Sequence, residues 1–222
     1  MNKSEITFLV KNTFVNKKIA LSLYESEVAN VVAPKCQTVP LVFSSPHSGR
    51  HYPIEFLEKT NLSSLQIRRS EDAFVDEIFE KVSEYGSPLL KAVFPRAYVD
   101  PNREQFELDP DMFDSTLPTY VNSNSPRIRS GLGTIAKIVA SGVEIYNGPL
   151  QFEEVRKRIK QHYDPYHAKL AQLVDNTIKR FGACLLIDCH SMPSSGGAGD
   201  TVSSKNWMDI VLGDRYGLLV HH

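Results

Sequence analysis

Two histidines, each followed by serine and each closing a short apolar run, are the residues of this 222-residue chain best placed to do chemistry: Ser44-Ser-Pro-His47-Ser-Gly and Ile187-Asp-Cys-His190-Ser. Neutral imidazoles bind divalent metals. Two of them with one carboxylate make the three-ligand set of a catalytic zinc, whose fourth position stays open for water. Such a metal lowers the pKa of its water toward about 7 and polarises a carbonyl. Either histidine alone reads more readily as a hydrogen-bonded residue at a strand end, but two at equivalent strand ends favour ligation. For the carboxylate, Arg69-Ser-Glu-Asp72 offers Glu71 and Asp72 at a helix start, where acidic residues are favoured by the macrodipole alone. Asp76 shares a helical face with Asp72. Asp188 precedes His190 on the same side of a strand, where it could orient a metal-bound imidazole.

A third group, Arg96, Asp100, Asn102 and Arg103, lies on one short Pro-bounded segment. Two guanidinium groups and an amide suit bidentate capture of a carboxylate or stabilisation of an oxyanion, and they equally suit a surface salt-bridge loop. Other candidates are weaker. His162 and His167 have the wrong spacing for one helical face and read as ordinary helix residues. Gly196-Gly-Ala-Gly199 lacks the strand-to-helix setting or the lysine of a phosphate loop. Cys36, Cys184 and Cys189 form no CxxC pair; an odd, sparse set argues against a disulfide framework or a thiolate zinc site and fits a reducing compartment.

Hydrophobic spacing shows the elements that would position these groups. Residues 1–37 lack strong periodicity and read as an N-terminal arm or peripheral strands. Residues 40–45 form a buried strand running into the turn Pro46-His-Ser-Gly49. Asn61-Leu-Ser-Ser64 supplies helix-capping residues, and Phe74, Ile78 and Val82 predict an amphipathic helix over 72–82. Residues 88–94 are strand-like, and 104–146 are a long irregular region of the kind that is functional or mobile. Over 151–181 the helical period returns, with Val155, Ile159, Tyr166, Leu170, Leu173, Val174 and Ile178 on one stripe, Pro165 as a kink and Gly182 as terminator. Residues 183–187 read as a central strand, and 208–212 are a further short apolar run. This alternation implies one α/β domain over 38–222 with a largely parallel or mixed sheet. Ligands in such sheets collect outside the carboxyl ends of the strands.

Composition narrows the function classes. With 41% hydrophobic and 23% charged residues the chain has the balance of a soluble globular protein, not of a disordered segment, coiled coil or collagen-like repeat. A formal net charge of −1 supplies no global field for nucleic acid or anionic membrane. No apolar run approaches the roughly 20 residues of a membrane span, and the N-terminus lacks a secretory signal, so a cytoplasmic protein is expected.

Taken together, these motifs resemble the N-formylglutamate amidohydrolase family. The likeness rests on Ser45-Pro-His-Ser-Gly49, Ser70-Glu-Asp-Ala-Phe-Val-Asp76, Pro95-Arg-Ala-Tyr-Val-Asp-Pro-Asn-Arg103, Tyr163-Asp-Pro-Tyr-His167, Leu186-Ile-Asp-Cys-His-Ser-Met-Pro193 and Leu212-Gly-Asp-Arg-Tyr-Gly217, and it covers roughly residues 40–217. The resemblance implies a three-layer α/β/α fold (phosphorylase/hydrolase-like) around a mixed, largely parallel sheet, related to the zinc carboxypeptidases and aspartoacylase. It implies hydrolysis by a metal-activated water of the N-formyl or other N-acyl amide of an acidic amino acid, a small-molecule substrate, as in histidine breakdown. Zinc would be held by His47 and His190. The carboxypeptidase relatives take their third ligand from a glutamate where this chain has Arg50, so Asp72 is the expected carboxylate, with Glu71 second. Asn102 and Arg103 would grip the substrate carboxylate, and Arg96 would polarise the scissile carbonyl and stabilise the tetrahedral oxyanion. Relatives continue to further strands that carry a glutamate general base. This chain stops at His222, so that base and some sheet elements are expected beyond it. Two alternatives share the centre: an inactive homologue that keeps metal and carboxylate binding, and a carboxypeptidase-like peptidase. Oligomeric state is not legible.

Overall fold

Four strands carry the site: β1 (Ala29–Val32), β2 (Leu41–Ser45), β3 (Leu89–Ala92) and β4 (Leu185–Asp188), in the spatial order β1-β3-β2-β4. They are seen in a computed structural model, in which residues 27–140, 142–192 and 210–213 are described. β2 runs parallel to both neighbours, with Phe43 opposite Leu89 and Leu41 opposite Leu185, while β1 pairs antiparallel with β3. The expected α/β fold with a mixed, mostly parallel sheet is therefore present. β2, β3 and β4 all release the chain at one edge of the sheet, where open α/β sheets gather ligands. β1, from within the N-terminal 37 residues, closes the far side of the sheet.

Among the described residues six α-helices flank these strands: α1 (Ile54–Leu57), α2 (Ser64–Ile67), α3 (Val75–Ile78), α4 (Pro126–Arg129), α5 (Phe152–Arg158) and α6 (Asp164–Phe181). Ser63 and Gln66 cap α2 reciprocally, each side chain taking the other's backbone N–H, as the serines of that segment predict. α5 passes into α6 through a π-helical turn, Ile159–Tyr163. Pro165 has no N–H to return to the carbonyl of Gln161, and the wider register absorbs the break. α6 packs along β1, β2 and β3 and ends at Gly182, whose φ of 81° is the left-handed conformation expected of a terminating glycine. Val155, Ile159 and Tyr166 join Phe56, Leu90, Phe94 and Leu108 in the core, whereas Ile178, placed on the same stripe, is 45% exposed.

Three expectations change. The amphipathic helix over 72–82 is only α3 followed by a 3₁₀ helix, Glu80–Tyr85, and its supposed core residues Phe74 and Ile78 are 54% and 71% exposed. Tertiary hydrogen bonds claim the backbone first: Asp72 N–H donates to His47 C=O, Ser48 Oγ donates to Asp72 C=O, and Asp76 N–H donates to Ser48 Oγ. Phe74 consequently adopts φ +66°, which no helix continues through. The strand over 183–187 is an edge strand among the described residues, with Leu185 and Leu186 45% and 42% exposed, because its apolar run matches a central strand as well as an edge one. Finally, the irregular region 104–146, expected to be functional or mobile, buries Leu108, Ile135, Val139 and Ile145 in the core.

The chain divides into two compact units, Met1–Ser191 and Met192–His222, and every element above belongs to the first. In the second, residues 210–213 have no regular structure. The glycine-rich 194–199 stretch, most of the last family motif and the N-terminal 26 residues lie outside the described residues. Among those described, no helix is long and apolar enough to cross a membrane.

Candidate metal centre

Two strand exits place the histidines, and the 72–76 turn brings Asp72 against them. β2 ends at Ser45, whose hydroxyl lies 2.8 Å from that of Ser48, and the turn between them carries His47. At Gly49 this turn presses against the chain leaving β3: a Cβ there would lie 2.0 Å from Phe94 C=O, so only glycine fits. The backbone bond from Asp72 to His47 C=O draws the 72–76 turn onto the same spot. β4 releases His190 alongside, with Cys189 N–H donating to Ser44 C=O at 2.7 Å.

His47, Asp72 and His190 converge so that one ligand atom from each lies within 4.8 Å of the others. Asp72 Oδ2 is 2.9 Å from His190 Nδ1 and 3.3 Å from His47 Nδ1, and the two rings tilt at 49° with centroids 4.8 Å apart. His47 is 2% exposed, and its Nδ1 is buried without a hydrogen-bond partner, 3.3 Å from Asp72 Oδ2. An unsatisfied buried nitrogen is costly unless something else uses its lone pair. Ligand atoms at about 2.0–2.2 Å from a tetrahedral zinc stand roughly 3.3–3.6 Å apart, close to the spacing here. The donor set and the orphaned Nδ1 both fit a divalent metal.

Outer partners hold these side chains. Asp100, 2% exposed, lies 2.8 Å from His47 Nε2 and also accepts from Arg96 Nη2 at 2.9 Å and from Asn102 N–H. Arg103 Nη2 stands 3.6 Å from it. Burial pushes the Asp100 carboxyl up, but His47 and the two arginines outweigh it and hold the pKa well below the carboxylate range. Asp72 is likewise held low: burial raises it, while His190, His47 and the Ser191 hydroxyl on Oδ1 lower it more. Asp188 lies 2.8 Å from His190 Nε2, as its position in the strand predicts, and Asp188 with Asp72 raises the imidazole pKa to about 9.

The two candidate carboxylates are placed differently. Glu71 turns away, accepting from Tyr52 OH and pairing with Arg68, and only Asp72 meets the histidines. Asp76 is not on this face, because no helix spans 72–76; it pairs with Arg50 and Lys91. Arg96, Asn102 and Arg103 do gather beside the centre, already engaged. Asn102 Nδ2 donates to Asp188 Oδ2, and Arg103 donates from Nε to Leu132 C=O and from Nη1 to Asn102 C=O. His162 is the ordinary helix residue expected, edge-on to Phe94 and Tyr98. His167 is more than that, since its Nε2 donates to Pro101 C=O while Tyr163 OH donates to Arg103 C=O. The role of Asp100 as the partner of His47 escaped the sequence reading, which grouped it with the arginines beside it. Its one sequence signal is an acidic residue set among basic ones on a short rigid segment.

Fold and centre together define a class: an α/β domain with a His-Asp-His donor set at the carboxyl ends of its parallel strands. The chain belongs to the N-formylglutamate amidohydrolase family, whose family model matches residues 39–221. It is similar to an N-formylglutamate deformylase of Pseudomonas putida, 23% identical over 161 residues, covering 70% of this chain and 53% of that one. It is also similar to the crystal structure of N-formylglutamate amidohydrolase from Ralstonia eutropha JMP134, with a TM-score of 0.69 at 37% identity, covering 75% of this chain and 58% of the other. The chain spans a little over half the length of either relative.

Proposed function

We propose that this protein is a metal-dependent amidohydrolase that cleaves the N-formyl, or a related N-acyl, amide of an acidic amino acid such as N-formylglutamate. The observation that carries the reading is the buried, unpartnered His47 Nδ1 standing 3.3 Å from Asp72 beside His190. Two imidazoles and one carboxylate suit zinc first. A divalent cation held there supplies Lewis acidity and a water of lowered pKa.

The chain's own residues do the rest. Asp100 and Asp188 accept the Nε2 protons of His47 and His190, which leaves Nδ1 of each ring facing the centre, where a bound cation would displace the proton that His190 Nδ1 otherwise gives to Asp72. Ser191 occupies Asp72 Oδ1 and leaves Oδ2 to the histidines. Arg96, anchored to Asp100 through Nη2, keeps further N–H groups for charge that develops on the scissile carbonyl oxygen. Asn102 and Arg103 are assigned to the substrate carboxylate. Their bonds to Asp188, Leu132 and Asn102 C=O fix amide and guanidinium before substrate arrives, which lowers the ordering cost of binding. The three free cysteines fit a reducing compartment, and the cytoplasm is the assigned location.

The test is formate release from N-formylglutamate by the full-length protein, stripped of metal and then given zinc or cobalt. Activity should vanish on stripping and return on addition, and its absence under every condition overturns the hydrolase reading. A melting temperature raised by N-formylglutamate without formate would leave a carboxylate-binding homologue. Arg103→Ala should mainly raise KM, since losing a charge-assisted contact costs about 2–4 kcal/mol. Arg96→Ala should instead lower kcat about a hundredfold or more. If both variants change KM alone, the division of roles is wrong.

A further inference from the structure

A hydrogen-bond chain runs from buried Tyr166 on α6 out to the second histidine. Tyr166, 1% exposed, places its hydroxyl 2.8 Å from Ser44 Oγ. Ser44 Oγ lies 3.1 Å from Asp188 Oδ1, and Asp188 Oδ2 lies 2.8 Å from His190 Nε2. Chemistry sets its direction. An ionised carboxylate only accepts, so the single proton of Ser44 goes to Asp188, and Tyr166 must be the donor to Ser44. Burial raises the phenol pKa far above neutrality, which keeps that donor protonated.

We infer that Tyr166 is a positioning residue for His190, acting through Ser44 and Asp188. Asp188 sits on the edge strand of the described sheet with a side chain 37% exposed to solvent. The Ser44 hydroxyl, itself buried, ties down Oδ1 and so aims Oδ2 at the imidazole. With Nε2–H committed to Oδ2, Nδ1 is the nitrogen that faces Asp72, donating its proton there in the metal-free protein and free to ligate a cation once that proton is displaced. Without Tyr166 the Ser44 hydroxyl loses the donor that orients it and polarises its bond to Asp188. The same helix end works on another segment of the site, since Tyr163 and His167 hold the carbonyls of Arg103 and Pro101. Tyr163 therefore offers a control on one scaffold: each tyrosine contributes one hydroxyl bond, but to a different part of the site.

This inference rests on His190 being a metal ligand, and the experiment keeps the two apart. Zinc affinity of the full-length protein is measured by chelator competition, and the cobalt-substituted protein is followed by its visible absorption. Tyr166→Phe should weaken zinc about tenfold, the lower end of what outer partners of metal-bound histidines contribute, and should alter the cobalt spectrum at unchanged stoichiometry. Ser44→Ala should weaken it by a similar factor, and the double variant by no more than either alone. Tyr163→Phe should bind zinc like the wild type. Wild-type affinity and spectrum in Tyr166→Phe, losses that multiply in the double variant, or equal weakening by Tyr163→Phe each overturn the relay. If Tyr166→Phe does not fold, Ser44→Ala decides: weaker zinc supports the relay and unchanged zinc removes it. A wild-type protein that takes up no zinc overturns the metal reading, and this inference with it.

Discussion

Glu71 and Asp72 are adjacent acids with different surroundings, and the difference can be measured. Glu71 is committed to Tyr52 and to Arg68, and its negative charge is balanced there. Asp72 lies between two imidazole Nδ1 atoms, with Ser191 closing its other oxygen. Elemental analysis should therefore find one zinc per chain in Glu71→Gln and none in His47→Ala, Asp72→Ala or His190→Ala. The histidines close strands rather than filling a core stripe, so each loss should leave the fold standing. Retention of zinc by any of these three alanine variants removes that residue from the ligand set.

At the scale of elements, the site depends on how closely the 45–49 turn, the 72–76 turn and the exit of β3 approach one another. Gly49 is the contact point, with Phe94 C=O at 2.0 Å from where a Cβ would stand. Backbone cannot retreat there without pulling on His47 and on the segment that carries Arg96 and Asp100. Gly49→Ala should cost more than about 2 kcal/mol in urea unfolding, the range of substitutions that force backbone apart. Gly148, with nothing within 4 Å of its Cβ position, is the comparison: Gly148→Ala should stay within about 0.5 kcal/mol. Equal effects at the two positions would mean that the close approach is not maintained in solution. The left-handed Phe74 belongs to the same packing, because a backbone held at Asp72 and Asp76 by His47 and Ser48 must turn sharply between them.

The whole molecule answers to pH through the groups that folding shifts. Asp72 and Asp100 have pKa values held below the usual range, so their stabilisation is complete above the unfolded value of about 3.9 and is lost as pH falls toward the folded values. His190 moves the other way, to about 9, so in the metal-free protein its contribution is complete below the unfolded value of about 6.5 and is lost as pH rises through 9. The metal-free melting temperature should therefore be highest between roughly pH 4 and 6.5 and should fall on both sides. His190→Gln should flatten the alkaline limb. Zinc should do the same in the wild type by taking the place of the proton on Nδ1. A metal-free melting temperature that climbs between pH 6.5 and 9 would contradict the ion pairs drawn around His190.

Local patterning carried part of this protein by itself. Apolar runs of strand length ending in His47 and His190, the capping serine of α2, the stripe of α5 and α6 and the glycine after it are short-range properties, set by side-chain periodicity and backbone freedom. They were enough to predict an α/β sheet with two imidazoles at its carboxyl edge and to bring the family into view. Tertiary structure decided what depends on residues far apart. Asp100 meets His47 across 53 positions, and Asp72 meets His190 across 118. No periodicity encodes either pairing. The contact of Asp72 rather than Glu71 with the two histidines, the replacement of a 72–82 helix by a turn, and the use of His167 as a clamp on Pro101 follow from hydrogen bonds between segments that only the fold brings together. Those bonds prevail over local helix propensity because a buried backbone or carboxylate group left unpaired costs more than the few tenths of a kcal/mol by which propensities differ.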